Sequence, residues 1–418
     1  MKTKAVRLYG KDDLRLEEFE LPVLRENEIL AKVVSDSLCM SSYKAAKQGS
    51  EHKRVPDDIA LNPVIIGHEF CGEILEAGAK WAGKFCPGQK FAIQPALNYM
   101  GSLNAPGYSY PCIGGDATYI IIPNEVMEMS CLLLFDGGDF FSGSLAEPLS
   151  CVAGAFHAMY HTVRGSYHHE MGIREGGSMA ILAGAGPMGL AAIDYIIHCP
   201  RRPATLAVTD IDRGRLERAA AILTVEEARK YGVMLSYLNT ADTDAKTSLL
   251  EINGGKGYDD VLVFAPLAPV VELADGLLAE DGCLNFFAGP SDPDFAAKMN
   301  FYNVHYAGTH IVGTSGGNTD DMNECLDMMS RGLLNPAILV THVGGLNAVP
   351  EATLNLPDLP GGKKLIYTGA DMPLTAIADF AELGESNPLF AKLNDACAAH
   401  GGLWNTEAEN ILLQREGT

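Results

Sequence analysis

The stretch SMAILAGAGPMGLAAIDYIIH, residues 178–198, constrains the fold more than any other. SMAILAG (178–184) reads as a buried strand and Pro187–His198 as a helix, with glycines at the turn between them. The alternation then continues. TLAVTD (205–210), VMLSYL (233–238), DVLVFA (260–265), CLNFFAG (283–289) and HIVGTS (310–315) read as strands. Helical runs are expected at Arg213–Leu223, Thr224–Tyr231, Thr243–Ile252 and Val270–Ala279. Apolar strands alternating with helices make a doubly wound parallel sheet.

Gly184-Ala185-Gly186-Pro187-Met188-Gly189 has the G-x-G-x-x-G spacing, which is weak alone but strong between a buried strand and a helix. Gly184 suits a tight turn, Gly186 lets backbone approach a pyrophosphate, and Gly189 lets helix and strand pack closely. The helix N-terminus stabilises the phosphate charge. Asp210 ends the next strand, placed to accept from ribose hydroxyls. Its carboxylate would repel a 2′-phosphate, so NAD(H) is favoured. Arg213 and Arg215 soften that preference and leave room for NADP(H). Gly313, Thr314 and Ser315 close a late strand, where backbone and hydroxyls can hold a carboxamide.

Residues 1–135 differ. Short strand-like runs (Lys4–Tyr9, Ile29–Ser35, Phe70–Ala77, Lys90–Gln94, Ala117–Pro123) are punctuated by Gly and Pro, as in an antiparallel barrel-like domain. A helix is expected from Glu147 to about Val163. After Thr319 come a helix at Asp320–Arg331, the strand KKLIYT (363–368) and tail helices at about Leu374–Glu382 and Pro388–His400. The expected division is residues 1–150 with 316–418 against 151–315.

Acidic residues outnumber basic ones 53 to 31, a net charge of −22, which argues against nucleic acid and anionic membrane as partners. No window holds eighteen uncharged apolar residues and no apolar leader opens the chain, so a cytoplasmic protein is expected. The ten cysteines include no C-x-x-C pair, so a structural zinc knuckle is not expected.

Within PVIIGHEFCGEI (63–74), His68 and Glu69 stand side by side in an apolar run. Burying such a pair is costly unless something compensates it. Cys39 with Ser41 lies upstream and Glu147-Pro148 downstream. Thiolate, imidazole and carboxylate suit an open zinc site. Taken singly, each is as readily a buried thiol, a satisfied core histidine or a solvated glutamate.

C-x-S at 39–41, G-H-E at 67–69, E-P at 147–148, the glycine fingerprint and Asp210 together resemble the zinc-dependent medium-chain dehydrogenase/reductases, in the polyol and threonine dehydrogenase branch. The resemblance covers about residues 1–368. It implies a GroES-like catalytic domain, a Rossmann domain, and one catalytic zinc held by Cys39 and His68 with Glu69, Glu147 or both. It also implies a homodimer or homotetramer. His68 and Glu69 can share an ion only if the chain bends there, because adjacent strand residues face opposite ways. The four-cysteine structural-zinc lobe of many relatives is absent. Ser42 stands where an acid is common, so His68 is expected to take another orienting partner. Lys44 stands where relatives often carry a relay histidine, which leaves the outer proton path open.

The implied chemistry is ketone–alcohol interconversion, with zinc polarising the carbonyl and Ser41 passing the proton. YKAAKQGSEHKR (43–54) carries Lys44, Lys47, Lys53 and Arg54 against Glu51. A charge run of this kind is usually a solvated face. Beside a metal ligand in an acidic chain it also suits a phosphate. The run therefore suits a phosphorylated substrate with Lys47 and Arg54 as its contacts, and the resemblance implies a ketose phosphate such as L-sorbose 1-phosphate. The competing expectations are an unphosphorylated polyol, a threonine-type substrate, and a zinc-free NAD-binding protein.

Overall fold

The computed structural model describes residues 1–163 and 165–414. The chain forms two compact units. One comprises Met1–Glu147, Asn318–Gly332 and the chain from Pro336 onward; the other comprises Pro148–Gly317 and Leu333–Asn335.

The first unit is built on an eight-stranded sheet. Its order is Thr375–Ala376, Val340–Gly345, Lys363–Tyr367, Ile29–Ser37, Phe70–Ala77, Lys90–Ile93 and Leu132–Leu134, with Tyr119–Ile122 also pairing to Ile29–Ser37. The long Ile29–Ser37 strand sends alternate side chains to two cores. Ala31 and Val33 join Ile74, Phe91 and Ile120, while Val34 joins Leu365, Tyr367, Phe390 and Trp404. That is the period of two expected of a strand buried on both faces. Its C-terminal end is flanked on both sides. Asp36 pairs with Phe70, and Ser37 pairs with Leu365, both antiparallel. This register brings Cys39, Glu69 and Lys363 to one end of the sheet.

The tail is part of this unit's core, and Trp404 is fully buried. Instead of a helix at Leu374–Glu382, the chain forms Thr375–Ala376, a 3-10 turn at Ile377–Asp379 and a short helix at Phe380–Gly384. Edge pairing of Thr375 and Ala376 to Val343 and His342 overrides the helical periodicity. A last helix, Thr406–Leu413, was not anticipated from the sequence. The helix expected from Glu147 begins earlier, at Phe141, and ends at Ala158. Tyr160–Thr162 beyond it is a strand.

The second unit carries a parallel six-stranded sheet. Its order is Met234–Asn239, Thr205–Asp210, Ser178–Leu182, Tyr258–Val263, Leu278–Phe286 and His310–Val312. The helix before Leu278 is Ala268–Asp275, shorter than expected. Among the described residues no helix is long and apolar enough to cross a membrane.

Candidate metal and cofactor sites

The Ile29–Ser37 strand runs into Cys39, which caps the helix Met40–Gln48. The Cys39 Sγ accepts from Ser41 N at 3.5 Å. On the neighbouring strand the chain bends at Glu69 before Phe70–Ala77 begins. Gly67, at φ +88°, makes that approach feasible. A Cβ there would lie 2.6 Å from Asp36 Oδ2 and 2.7 Å from Asp116 N. The bend lets both polar neighbours face one place. Ligand atoms of Cys39, His68 and Glu69 all lie within 4.8 Å of one another.

The His68 ring is buried between two hydroxyls. Ser42 Oγ is 3.1 Å from Nδ1, and Tyr108 OH is 3.1 Å from Nε2. The orienting partner expected to come from elsewhere is therefore Ser42 itself. Burial pushes the imidazole down to about 4, against the pull of Glu69. His68 is thus neutral, as metal ligation requires. Burial, and then Glu69, push the Cys39 thiol up to about 12.

Glu69 has an unforeseen partner. Lys363 Nζ, nearly buried, donates to both Glu69 oxygens at 2.5 Å, and Ser37 Oγ donates to Oε2. Burial would lower the Lys363 ammonium; Glu69, Cys39 and Glu147 together raise it. Glu147 lies outside the tight cluster but close enough to act on both Cys39 and Lys363. With Cys39 ionised, three negative charges (Cys39, Glu69, Glu147) would meet one buried ammonium. A divalent cation closes that difference, so the donor set fits zinc.

Beneath the bend, Asp36 Oδ1 accepts from Glu69 N at 3.1 Å. The Asp36 and Asp116 carboxyls face each other, fully buried. Burial, followed by the proximity of Asp116, raises Asp36, and burial raises Asp116 to about 8.

Tyr108 is the second residue that sequence reasoning missed. It stacks on His52 with centroids 5.7 Å apart and lies 5.5 Å beneath the Arg54 guanidinium. Burial, then the charges of Arg54, Lys53 and Lys44, lower His52. Lys47 is elsewhere: its ammonium lies 2.8 Å from Asp12 Oδ1 on the surface. Of the two expected phosphate contacts, the structure brings Arg54 to the Tyr108–His68 group and seats Lys47 on Asp12.

In the second unit, Gly184 N donates to Thr209 O at 2.7 Å, tying the glycine turn to the next strand. A Cβ at Gly189 would lie 2.0 Å from Gly184 O, whereas at Gly186 it would meet nothing within 4 Å. The first enforces close packing and the second leaves backbone open to a phosphate, so the turn fits a dinucleotide. Ala185 N donates to Asp210 Oδ2 at 3.1 Å, and Asp212 N donates to Oδ1 at 3.0 Å. Pro187 and Met188 open the helix. Arg215 lies 3.6 Å from Asp212 and is exposed. Gly313 and Ser315 are exposed just past the His310–Val312 edge strand. Thr314 Oγ1 between them is buried and bonds to nothing among the described residues.

Residues 25–134 match the alcohol dehydrogenase GroES-like domain and residues 187–331 match the zinc-binding dehydrogenase domain. The chain is 52% identical over 411 residues to L-sorbose 1-phosphate reductase of Klebsiella pneumoniae, covering 98% of this chain and 97% of that one. It is 51% identical over 413 residues to mannitol-1-phosphate 5-dehydrogenase of Aliivibrio fischeri, covering 99% and 97%. The crystal structure of 2R,3R-butanediol dehydrogenase from Bacillus subtilis superposes with a TM-score of 0.69 at 19% identity, over 88% of this chain and 100% of that one. The chain belongs to the zinc-dependent medium-chain dehydrogenase/reductase family. Within it, the chain is an oxidoreductase of the zinc-binding alcohol dehydrogenase type.

Proposed function

We propose that the protein is a cytoplasmic, NAD(H)-linked enzyme interconverting L-sorbose 1-phosphate and D-glucitol 6-phosphate. The observation that carries this reading is the buried Cys39–His68–Glu69 cluster with Arg54 standing over Tyr108 beside it. Cys39 and His68 hold one zinc ion, joined by Glu69, Glu147 or both. When bound, the zinc polarises a carbonyl and the nicotinamide supplies hydride.

The chain's own residues supply the rest. Neutral His68 offers a lone pair that Ser42 and Tyr108 keep in register. Ser41 moves the proton at its Oγ, and Lys44, whose charge acts on His52, forms the outer end of the path. Arg54 pairs with the phosphate; Lys47, already engaged by Asp12, contributes less. The Gly184–Gly189 turn carries the pyrophosphate, Asp210 the adenosine ribose, and Gly313, Thr314 and Ser315 the carboxamide. The relatives support a sugar-phosphate substrate, since both carry phosphorylated sugars in their names. A homodimer or homotetramer is part of the same proposal, to be measured by sedimentation velocity.

Two measurements test this reading. NADH oxidation with L-sorbose 1-phosphate should be far faster than with L-sorbose. Arg54→Ala should lower kcat/KM for the phosphorylated sugar about ten- to a hundredfold and leave the neutral sugar unchanged. Equal efficiency on both sugars would return Arg54 to a solvated face. At the cofactor end, Asp210→Ala should weaken NADH use about tenfold and improve NADPH use. A wild type that already prefers NADPH would show that Arg213 or Arg215 governs the adenosine end.

A further inference from the structure

The last helix, Thr406–Leu413, carries a buried acid. Glu409 is 1% exposed. Its Oε2 accepts from Phe140 N at 2.7 Å; its Oε1 accepts from Phe141 N at 2.9 Å and from Tyr367 OH at 2.8 Å. Trp404 Nε1 donates to Tyr367 OH at 2.7 Å, and Thr406 Oγ1 donates to Asp139 Oδ2 at 3.0 Å.

Phe140 and Phe141 begin the helix Phe141–Ala158. The first N–H groups of any helix lack internal acceptors and attract negative charge. A neighbouring Ser, Asp or Asn usually meets that need. Here the chief acceptor is a carboxylate from the far end of the chain. Asp139 adds one bond, to Ser142 N at 3.1 Å.

The helix also carries Pro148 within it. Proline has no N–H for the carbonyl four residues back, so Ser144 loses that bond and the helix is weakened at this point. Glu147 stands immediately before the break. The segment Phe141–Glu147 therefore depends more than usual on how its N-terminal end is held. Tyr367, the third group on Glu409, lies four residues along the strand from Lys363. One tail carboxylate thus fastens the helix start that leads to Glu147 and the strand that carries Lys363.

We infer that Glu409 is a positioning residue for the metal centre, setting where Glu147 and Lys363 stand through the Phe140 and Phe141 amides and the Tyr367 hydroxyl. The inference rests on the zinc reading above. It gives the C-terminal tail a task beyond covering a core: the tail completes the scaffold of the site.

The test compares Glu409→Gln with Leu412→Ala, which trims the same helix within the same core but leaves the carboxylate contacts alone. A glutamine cannot accept from both amides with its two end atoms. Both variants should melt earlier than wild type. Glu409→Gln alone should bind zinc about tenfold more weakly in chelator competition, the scale of a lost partner behind a metal ligand. It should also alter the thiolate-to-metal and d–d bands of the cobalt(II)-loaded protein. Tyr367→Phe, which removes one of the three bonds, should show a smaller change in the same direction and serves if the glutamine variant does not fold. If wild type binds zinc and both Glu409→Gln and Tyr367→Phe match it in affinity and spectrum, Glu409 only anchors the tail and the inference falls. If wild type binds neither zinc nor cobalt, the zinc reading itself falls.

Discussion

Two buried histidines behave in opposite ways. His161, in the second unit, is 1% exposed; His68, in the first, is 4% exposed. His161 lies between acids. Its Nε2 is 3.0 Å from Asp260 Oδ1 and its Nδ1 is 3.1 Å from Asp281 O, while Arg174 NH2 reaches Asp281 Oδ2 at 2.7 Å. Burial alone would lower its pKa, but the hydrogen bond and charge of Asp260 outweigh burial and raise it. Burial also lifts Asp260, and its bonds to His161 and to Arg174 N pull the other way. His68 meets only hydroxyls at its two nitrogens, and burial carries it down to about 4. The first cluster answers each charge with one of opposite sign, and its product is a fastening between strands. The second holds its imidazole neutral and, once the thiol ionises, has more acid than cation. Burial does not separate structure from site here; unbalanced burial does.

The largest effect expected is on turnover. Cys39→Ala or His68→Ala should abolish it while NADH affinity, read by fluorescence titration, stays near wild type, because the glycine turn belongs to the other unit. His161→Ala should retain specific activity in the folded fraction. Full turnover from a verified metal-free Cys39→Ala protein would end the distinction.

Next comes Lys363→Met. It strips the buried Glu69 of its counter-charge and should cost the metal-free protein about 3–5 kcal/mol in urea unfolding. Saturating zinc should recover much of that loss, since the cation then answers the carboxylate. A loss that zinc leaves untouched would mean that Lys363 and the metal do not share Glu69.

His161→Ala should cost somewhat less, about 1.5–3 kcal/mol, because Arg174 still holds Asp281. Zinc should not change that figure. The smallest effect is the pH dependence. A histidine whose pKa is raised on folding stabilises fully below its unfolded value near 6.5 and loses that contribution as pH rises through the raised value. Wild-type Tm should therefore decline as pH rises above about 6.5 more steeply than that of His161→Gln. Identical slopes would show that His161 is not charged in the folded unit.

What could be read from the sequence follows the range of the interactions. The strand–glycine–helix unit and Asp210 lie within thirty-three residues, so their pattern carried its own geometry. Cys39, His68 and Glu147 could be singled out by residue type and spacing, although whether Glu69 faced them depended on a bend that only the structure displays. Lys363 and Tyr108 escaped because their partners are 294 and 40 residues away. The doubled lysine opening the otherwise apolar KKLIYT was the available signal for the first. Nothing short-range marks the second. Glu409 sat in a polar-looking stretch, NTEAEN, whose partners lie 268 and 269 residues earlier. The helix expected at Leu374–Glu382 failed for the same reason: a distant strand edge claimed its first residues.

The bond between Glu69 and Lys363 also fixes an order of events during synthesis. The two residues lie 294 positions apart, and the whole of the second unit is made between them. That unit is almost one continuous stretch and can close while the ribosome is still translating. The first unit cannot. Its leading portion must wait with Glu69 unanswered until Lys363 emerges, and Phe140 and Phe141 wait longer still for Glu409. The surroundings of the Cys39–His68–Glu69 cluster are therefore completed only after the second unit has been made. A nascent chain arrested after Asn335 and before Lys363 would hold a finished nucleotide-binding fold and an unfinished pocket.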